Sequence, residues 1–326
     1  MIPLKSYKLD YHSQVAILIP CYNEALTIEK VIHDFKIELP EAKIYVYDNN
    51  STDDTVSRAR VAGAVVRSEN IQGKGAVIRR MFRDVIADYY VMVDGDDTYD
   101  SSVVLEMLRI ANEGPYDLVN CVRIAVGKDA YRVGHRIGNT LLTGVVSYIF
   151  GDQIKDMLSG YKVLSNRYVK SFPAFSSGFD IETEITVHAL ELSMPVAQVK
   201  GSYRVRPEGS ESKLSTYKDG FRILFQIINL FKYERPMQFF SIISIILLCI
   251  SLGMGIPVVI HFFQTGLVPR LPTALLSVGI MLLAFLSFIN GLILDTITRG
   301  RKEAKLLSYL QYPVSNSISV NNDCTT

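Results

Sequence analysis

An α/β domain on a mainly parallel sheet, followed by two apolar helices of membrane-crossing length, is the architecture this sequence predicts. Three observations lead there. Short apolar runs alternate with helical segments from Val15 to Arg123. Two of those runs end on an aspartate, Asp48 and Asp94. Near the other end, Met237 to Phe263 and Leu271 to Leu294 contain no Lys, Arg, Asp or Glu.

In order, Val15 to Ile19 reads as a strand, Pro20-Cys21-Tyr22-Asn23-Glu24 as a loop, and the next segment as a helix through about Glu38. Ile44 to Tyr47 is a second strand, ending at Asp48. The cluster Ser51 to Thr55 caps a helix that runs to about Ala62. Ala64 to Val66 is a short strand and Gly75 to Ile86 a helix. Tyr90 to Val93 is a buried strand that drives straight into Asp94-Gly95-Asp96-Asp97, and Leu118 to Arg123 is a further strand. This order predicts helices on both faces of the sheet and ligands at the carboxyl ends of its strands, where Asp48 and Asp94 lie.

The acidic junction is the strongest chemical signal. Unpaired carboxylates about 4–5 Å apart repel by about 3–4 kcal/mol at an effective dielectric near 20. Mg²⁺ or Mn²⁺ removes that cost, since hard oxygen ligands on one short loop suit these ions better than zinc. The alternative is a solvated acidic turn that caps the following helix through Asp100 or Ser101. Other phosphate-binding schemes fail. Around Gly73-Lys74-Gly75, Ser68 stands where a P-loop needs its first glycine and Ala76 where it needs Ser or Thr. The glycine pair reads equally well as simple turn chemistry. No strand–GxGxxG–helix unit appears, which argues against a dinucleotide cofactor.

A chain of 326 residues exceeds one average domain, and its formal charge of +1 excludes a broadly basic nucleic-acid binder. The cysteines Cys21, Cys121, Cys249 and Cys324 show no paired spacing, so neither zinc site nor disulfide framework is expected, in keeping with a reducing cytosol. No signal peptide is expected, because the apolar stretch Val15 to Pro20 is short. His12, His33, His135, His188 and His261 have no partners at ligand spacing and read as structural.

The two charge-free runs form a hairpin. Lys213, Lys218, Arg222, Lys232 and Arg235 precede it and Arg299, Arg301, Lys302 and Lys305 follow it, whereas the connection has only Arg270. Both ends are therefore expected on the cytoplasmic face of the cell (inner) membrane. Between Tyr217 and Lys232, residues Tyr217, Phe221, Leu224, Phe225 and Ile228 share one helical face. That face lies in the membrane interface or packs on the soluble domain. The expected boundaries are a leader over 1–12, a catalytic domain over 13–212, a juxtamembrane helix over 213–235, the spans within 236–298 (about 237–263 and 271–294) and a cytoplasmic tail over 299–326.

Six motifs in order make a resemblance specific. They are Ile19-Pro20-Cys21-Tyr22-Asn23-Glu24, Asp48-Asn49-Asn50-Ser51-Thr52-Asp53, Asp94-Gly95-Asp96, Ser159-Gly160-Tyr161-Lys162, Gly178-Phe179-Asp180-Ile181-Glu182-Thr183-Glu184, and Arg206-Pro207-Glu208-Gly209-Ser210-Glu211-Ser212-Lys213. Over residues 13–232 the chain resembles the family-2 glycosyltransferases of GT-A fold, in their polyprenyl-phosphate branch, the relatives of dolichol-phosphate mannose synthase and of bacterial undecaprenyl-phosphate glucosyltransferases. The resemblance implies an inverting, metal-dependent transfer of one sugar from a nucleotide-sugar, UDP- rather than GDP-linked by family frequency, to a polyprenyl phosphate. It implies that Pro20, Tyr22, Glu24 and Asp48 hold the nucleoside, while Asp94 and Asp96 meet the diphosphate and the Mn²⁺ or Mg²⁺. Arg206, Ser210 and Lys213 close over phosphate; Arg123 and Arg136 are further phosphate candidates by position and basic character. Glu182 or Asp180 stands where a base would, although acids at a helix start also serve the helix dipole. Asn49-Asn50 departs from the family's usual Asp-Gly, and Asp97-Thr98-Tyr99 lacks its common Gln ligand. A homo-oligomer is compatible with the family. A processive polysaccharide synthase is disfavoured because the chain has no tryptophan for the chain-gripping motif of such enzymes; a non-catalytic scaffold of the same fold is the third reading.

Overall fold

The computed structural model describes residues 14–125, 143–148, 151, 154–173, 181–207, 225 and 227–313. The chain forms two compact units, one of 1–221 with 305–326 and one of 222–304.

The first unit is the expected α/β domain. Its elements are β1 (Val15–Cys21), α1 (Ile28–Glu38), β2 (Lys43–Asp48), α2 (Thr55–Val61), β3 (Val65–Ser68), α3 (Lys74–Asp84), β4 (Tyr89–Met92), α4 (Val103–Glu113), β5 (Leu118–Ala125), β6 (Lys162–Ser165), α5 (Asn166–Ser171), α6 (Ile181–Glu191) and β7 (Val196–Tyr203). The strands form one sheet in the order β3-β2-β1-β4-β6-β5-β7. β1 pairs in parallel with β2 and β4, and β5 with β7; β6 runs antiparallel to both of its neighbours. No strand is expected from the sequence beyond Arg123, and the structure adds β6 and β7.

Period-two alternation divides the strands between faces. Ile17, Ile19, Val91, Val93, Val119 and Val163 join Ile28, Ile32 and Phe35 of α1 and Met107 and Leu108 of α4 in one core. Each such side chain contributes about 1.5–3 kcal/mol by leaving water. Leu18, Tyr90, Met92 and Leu164 are equally buried but alternate with that set, so they serve the opposite face. Because β1, β2 and β4 are parallel, their carboxyl ends share one edge. Cys21 sits opposite Asp48 and Leu18 opposite Met92, which brings Pro20, Asp48 and Asp94 to neighbouring positions along it.

The second unit is built on α7 (Pro236–Thr265) and α8 (Leu271–Leu310), both long and apolar enough to cross a bilayer. Small residues hold them together. Ser251 donates to the Ser277 carbonyl at 2.7 Å and Ser244 to that of Ala284 at 2.8 Å, while Gly291 lies against Met237 and Phe240. Ile245, Ile246, Leu282 and Phe285 face outward. Residues 227–234 are helical, with Ile228 and Tyr233 exposed; Tyr217, Phe221 and Leu224 lie outside the described residues. Helix α8 continues past its apolar stretch, and its last turns belong to the first unit: Lys305 pairs with buried Glu191 at 2.6 Å, and the Tyr309 hydroxyl donates to Asp117 at 2.7 Å.

Candidate active site

Two loops at the ends of β1 and β2 interlock. The Asn23 amide donates to Ser51 Oγ at 2.9 Å, the Thr52 amide to Asn23 Oδ1 at 2.8 Å and the Glu24 amide to Thr55 Oγ1 at 2.8 Å. Asp48 is buried and accepts from the Ser51 amide at 3.2 Å. Glu24 and Asp48 are thus buried and braced, and Pro20 and Tyr22 belong to the first of these loops. The Asn49-Asn50 departure has a physical reason. Asn49 accepts from the Gly73 amide at 2.7 Å and donates to the carbonyls of Glu69 and Ile71 at 2.9 and 2.8 Å, anchoring the loop that opens α3. Asn50 has φ 65°, a left-handed conformation that asparagine tolerates better than most residues. Gly73, at φ 128°, makes the turn that aims Lys74 inward.

The acidic loop follows β4 and is held from three sides. Thr27 Oγ1, at the start of α1, donates to the Gly95 carbonyl at 2.6 Å. Thr98 Oγ1 donates to Asp96 Oδ1 at 2.6 Å, and the Tyr99 hydroxyl accepts from the Gly160 amide at 2.7 Å. The Asp94 carboxyl lies directly on Gly160: a Cβ there would collide with both of its oxygens. That contact is why the Ser159-Gly160-Tyr161 segment carries glycine.

Two cations from distant elements meet this loop. Lys74 Nζ bridges Asp94 Oδ1 and Glu182 Oε1, both at 2.5 Å, and so ties α3 to β4 and to the first turn of α6. Arg206, just beyond β7, reaches Asp96 Oδ2 at 2.6 Å. The run-out of β7 is placed by the Arg204 amide, which donates to the Thr98 carbonyl at 2.8 Å, and by the bridge between Tyr99 and Tyr203. The two aspartates respond in opposite directions. Burial raises the pKa of both, but Lys74 overrides it at Asp94 and holds that carboxyl below the usual range. Asp96 stays raised, by burial and then by the Asp94 charge, with Arg206 opposing. Burial also opposes the Lys74 charge, and Asp94 and Glu182 more than restore it.

Two mutually repelling carboxylates on one loop suit a Mg²⁺ or Mn²⁺ that takes its other ligands from substrate oxygens and water. Among the described residues no third His, Cys, Asp or Glu completes a protein cage around them. Of the residues expected from the sequence, Asp94, Asp96, Glu182 and Arg206 converge. Arg123 lies nearby but is engaged: its guanidinium grips Asp156 at 2.7 and 2.8 Å and lies over the Tyr203 ring at 5.3 Å. Arg136, Asp180, Ser210 and Lys213 lie outside the described residues. Sequence reasoning missed Lys74, whose only signal is a lysine opening a helix at the carboxyl edge. Lys162 ends the Ser159-Gly160-Tyr161-Lys162 motif but carries no role of its own in the sequence, and it begins a buried strand.

Residues 16–170 match the model of glycosyl transferase family 2. Glycosyltransferase AglJ of Haloferax volcanii is 32% identical over 295 residues, covering 89% of this chain and 95% of that protein. The chain belongs to glycosyltransferase family 2. This family 2 chain is also similar to a dolichyl-phosphate hexose transferase of Haloferax volcanii, 26% identical over 68% of this chain and 95% of the relative. Among solved structures, glucosyl-3-phosphoglycerate synthase of Mycobacterium tuberculosis, in complex with Mn²⁺, UDP-glucose and glycerol 3-phosphate, superposes with a TM-score of 0.54, at 23% identity, over 68% of this chain and 80% of that one. That likeness shows the GT-A fold.

Proposed function

We propose that this glycosyltransferase moves one sugar, with inversion, from a nucleotide-sugar to a polyprenyl phosphate such as undecaprenyl phosphate at the cytoplasmic face of the inner membrane. The observation that carries the reading is the pairing of Asp94 and Asp96 with Lys74 and Arg206 at the carboxyl edge of the sheet. Two helices of membrane-crossing length and a relative named for dolichyl phosphate support the lipid acceptor. The basic residues flanking the hairpin, against a single Arg270 in its connection, support the orientation.

Pro20, Tyr22, Glu24 and Asp48 cradle the base and ribose, with UDP favoured over GDP. Asp94 and Asp96 hold the divalent ion, Mg²⁺ or Mn²⁺, which when bound neutralises the leaving diphosphate without a proton transfer. Lys74 and Arg206 each touch one of those aspartates, so each is placed to turn a positive charge to the diphosphate as its bond to the sugar breaks. The acceptor phosphate, with a second pKa of about 6, is already largely a nucleophile at pH 7. Glu182 then serves to orient Lys74 rather than as an obligatory base. Arg123, Arg136, Ser210 and Lys213 remain assigned to phosphate by position in the sequence.

The test is transfer by purified full-length protein in detergent, with undecaprenyl phosphate and labelled UDP-glucose, UDP-GlcNAc, UDP-galactose or GDP-mannose. A lipid-soluble product from one donor, abolished by EDTA and restored by Mn²⁺ or Mg²⁺, is expected. A labelled polymer in place of a single-sugar lipid makes the protein a processive synthase, and folded protein that neither transfers nor binds nucleotide makes it a scaffold.

A further inference from the structure

Thr98 directly follows the Asp94-Gly95-Asp96-Asp97 junction and is buried. Its contacts bear on a single carboxyl group. Thr98 Oγ1 donates to Asp96 Oδ1 at 2.6 Å, and the Thr98 amide donates to the same oxygen at 3.3 Å. The backbone doubles back to allow this. Asp97 has φ 57°, a left-handed conformation that aspartate adopts more readily than most residues, and Lys30 on α1 holds the Asp97 carboxyl at 2.7 Å.

The second oxygen of Asp96 is set from the same residue. The Thr98 carbonyl accepts from the Arg204 amide at 2.8 Å, and two residues further on Arg206 reaches Asp96 Oδ2 at 2.6 Å. The two oxygens are therefore unequal. A carboxylate oxygen accepts about two partners. Oδ1 carries a hydroxyl and an amide, whereas among the described residues Oδ2 meets only the Arg206 guanidinium. A turn alone does not need the hydroxyl, because the amide and the carbonyl of Thr98 make their contacts without the side chain.

We propose that Thr98 is a positioning residue that acts through Asp96: by occupying Oδ1 it makes Asp96 a one-oxygen ligand through Oδ2, and so selects Mg²⁺ or Mn²⁺ over Ca²⁺. This rests on the metal assignment in the glycosyl-transfer reading above. Mg²⁺ demands near-ideal octahedral geometry at about 2.0–2.1 Å, and Mn²⁺ also favours octahedral oxygen sites; single oxygens supply both. Ca²⁺ takes about 6–8 ligands at about 2.3–2.6 Å and accepts both oxygens of one carboxylate. Without the Thr98 hydroxyl, Asp96 is free to turn its second oxygen to the ion, which favours the larger cation.

The test is ion binding by full-length protein in detergent without acceptor, alone and with UDP or GDP. Bound Mn²⁺ is read from the EPR signal of the free ion, and Ca²⁺ by competition against Mn²⁺. Asp96→Ala locates the ion and should remove most of the wild-type binding. Thr98→Val keeps the shape of the side chain and loses the hydroxyl, Thr98→Ala is a smaller variant without it, and Thr98→Ser retains it. The two variants without a hydroxyl are expected to bind Mn²⁺ about 10- to 100-fold more weakly. Ca²⁺ should weaken by less, so that the preference for Mn²⁺ over Ca²⁺ shrinks, and Thr98→Ser should restore it. Nucleotide affinity in EDTA should not change. A folded variant without the hydroxyl that keeps the wild-type Mn²⁺ affinity overturns the role, and so does an equal loss for both ions, which marks a purely structural contact. Mn²⁺ binding undiminished in Asp96→Ala overturns the metal assignment and the role with it. Wild type that shows the ion preference yet transfers no sugar overturns the glycosyl-transfer reading and leaves the role of Thr98 standing.

Discussion

Two edges of one sheet carry buried charge in opposite styles. At the edge where β5 begins, Asp117 is enclosed and satisfied. It accepts from Ser165 Oγ at 2.5 Å, from Arg167 at 2.5 and 2.6 Å through both oxygens, and from the Tyr309 hydroxyl at 2.7 Å, while the Arg167 guanidinium lies over the Tyr309 ring at 4.9 Å. Each charge there meets its opposite in a fork geometry that leaves nothing over. At the edge where β1, β2 and β4 end, one lysine spans two carboxylates, the charge of Asp94 adds to burial in raising the proton affinity of Asp96, and a second lysine lies buried on a neutral partner. A charge set meant to hold a fold is closed within itself. One meant to receive a diphosphate and a cation keeps its groups shareable, and perturbed ionisation marks it.

Substitutions can break this contrast, and the largest effect is expected at the metal loop. Asp96→Ala should lower transfer by at least about 10²- to 10³-fold in a protein that still folds, the relief of carboxylate repulsion offsetting part of the lost Arg206 pair and Thr98 hydrogen bond; substantial metal-dependent turnover in that variant would sink the assignment. Next comes Lys74→Met, expected to cost about 10²-fold in kcat and also to destabilise the fold, because Asp94 and Glu182 are left facing each other. Full activity there would return the Gly73-Lys74-Gly75 turn to a purely structural role. Gly160→Ala sharpens the comparison without touching any charge. Its Cβ must push the Asp94 carboxyl aside, and a displacement of about 1 Å at a reacting centre costs about 10²-fold. Nucleotide affinity measured in parallel, without metal, should change little. The smallest effect belongs to the other edge. Tyr309→Phe removes one hydrogen bond from Asp117, and a stability loss of about 1 kcal/mol by chemical unfolding is expected, with turnover per folded molecule unchanged.

Much of the site was legible in sequence because it lies on loops directly after strands. An apolar run ending in Asp48 or Asp94 declares both the strand and the edge it points to, and parallel order puts those edges together. Asn49 read as a departure that weakened the match, whereas its side chain in fact anchors the loop that presents Lys74. Gly73-Lys74-Gly75 reads equally well as simple turn chemistry, since no local spacing says that a helix start will meet Asp94 from one side and Glu182 from the other. Arg123 is a phosphate candidate by its position in the sequence, and its grip on Asp156 joins residues more than thirty positions apart, which leaves no local trace.

The sequence by itself determined the alternation of strands and helices, the carboxylate-tipped strand ends and the two membrane-length helices, because each is written in periodicity and composition over neighbouring residues. Only the tertiary structure decided which charge meets which. Lys74 between Asp94 and Glu182, Arg206 on Asp96, Arg123 on Asp156 and Lys162 buried on Asn120 all pair groups from different elements, and each partner is chosen by where the sheet order and the antiparallel β6 place it. Ion pairing falls off within a few ångströms, so it is fixed by proximity in space, which distance along the chain does not encode.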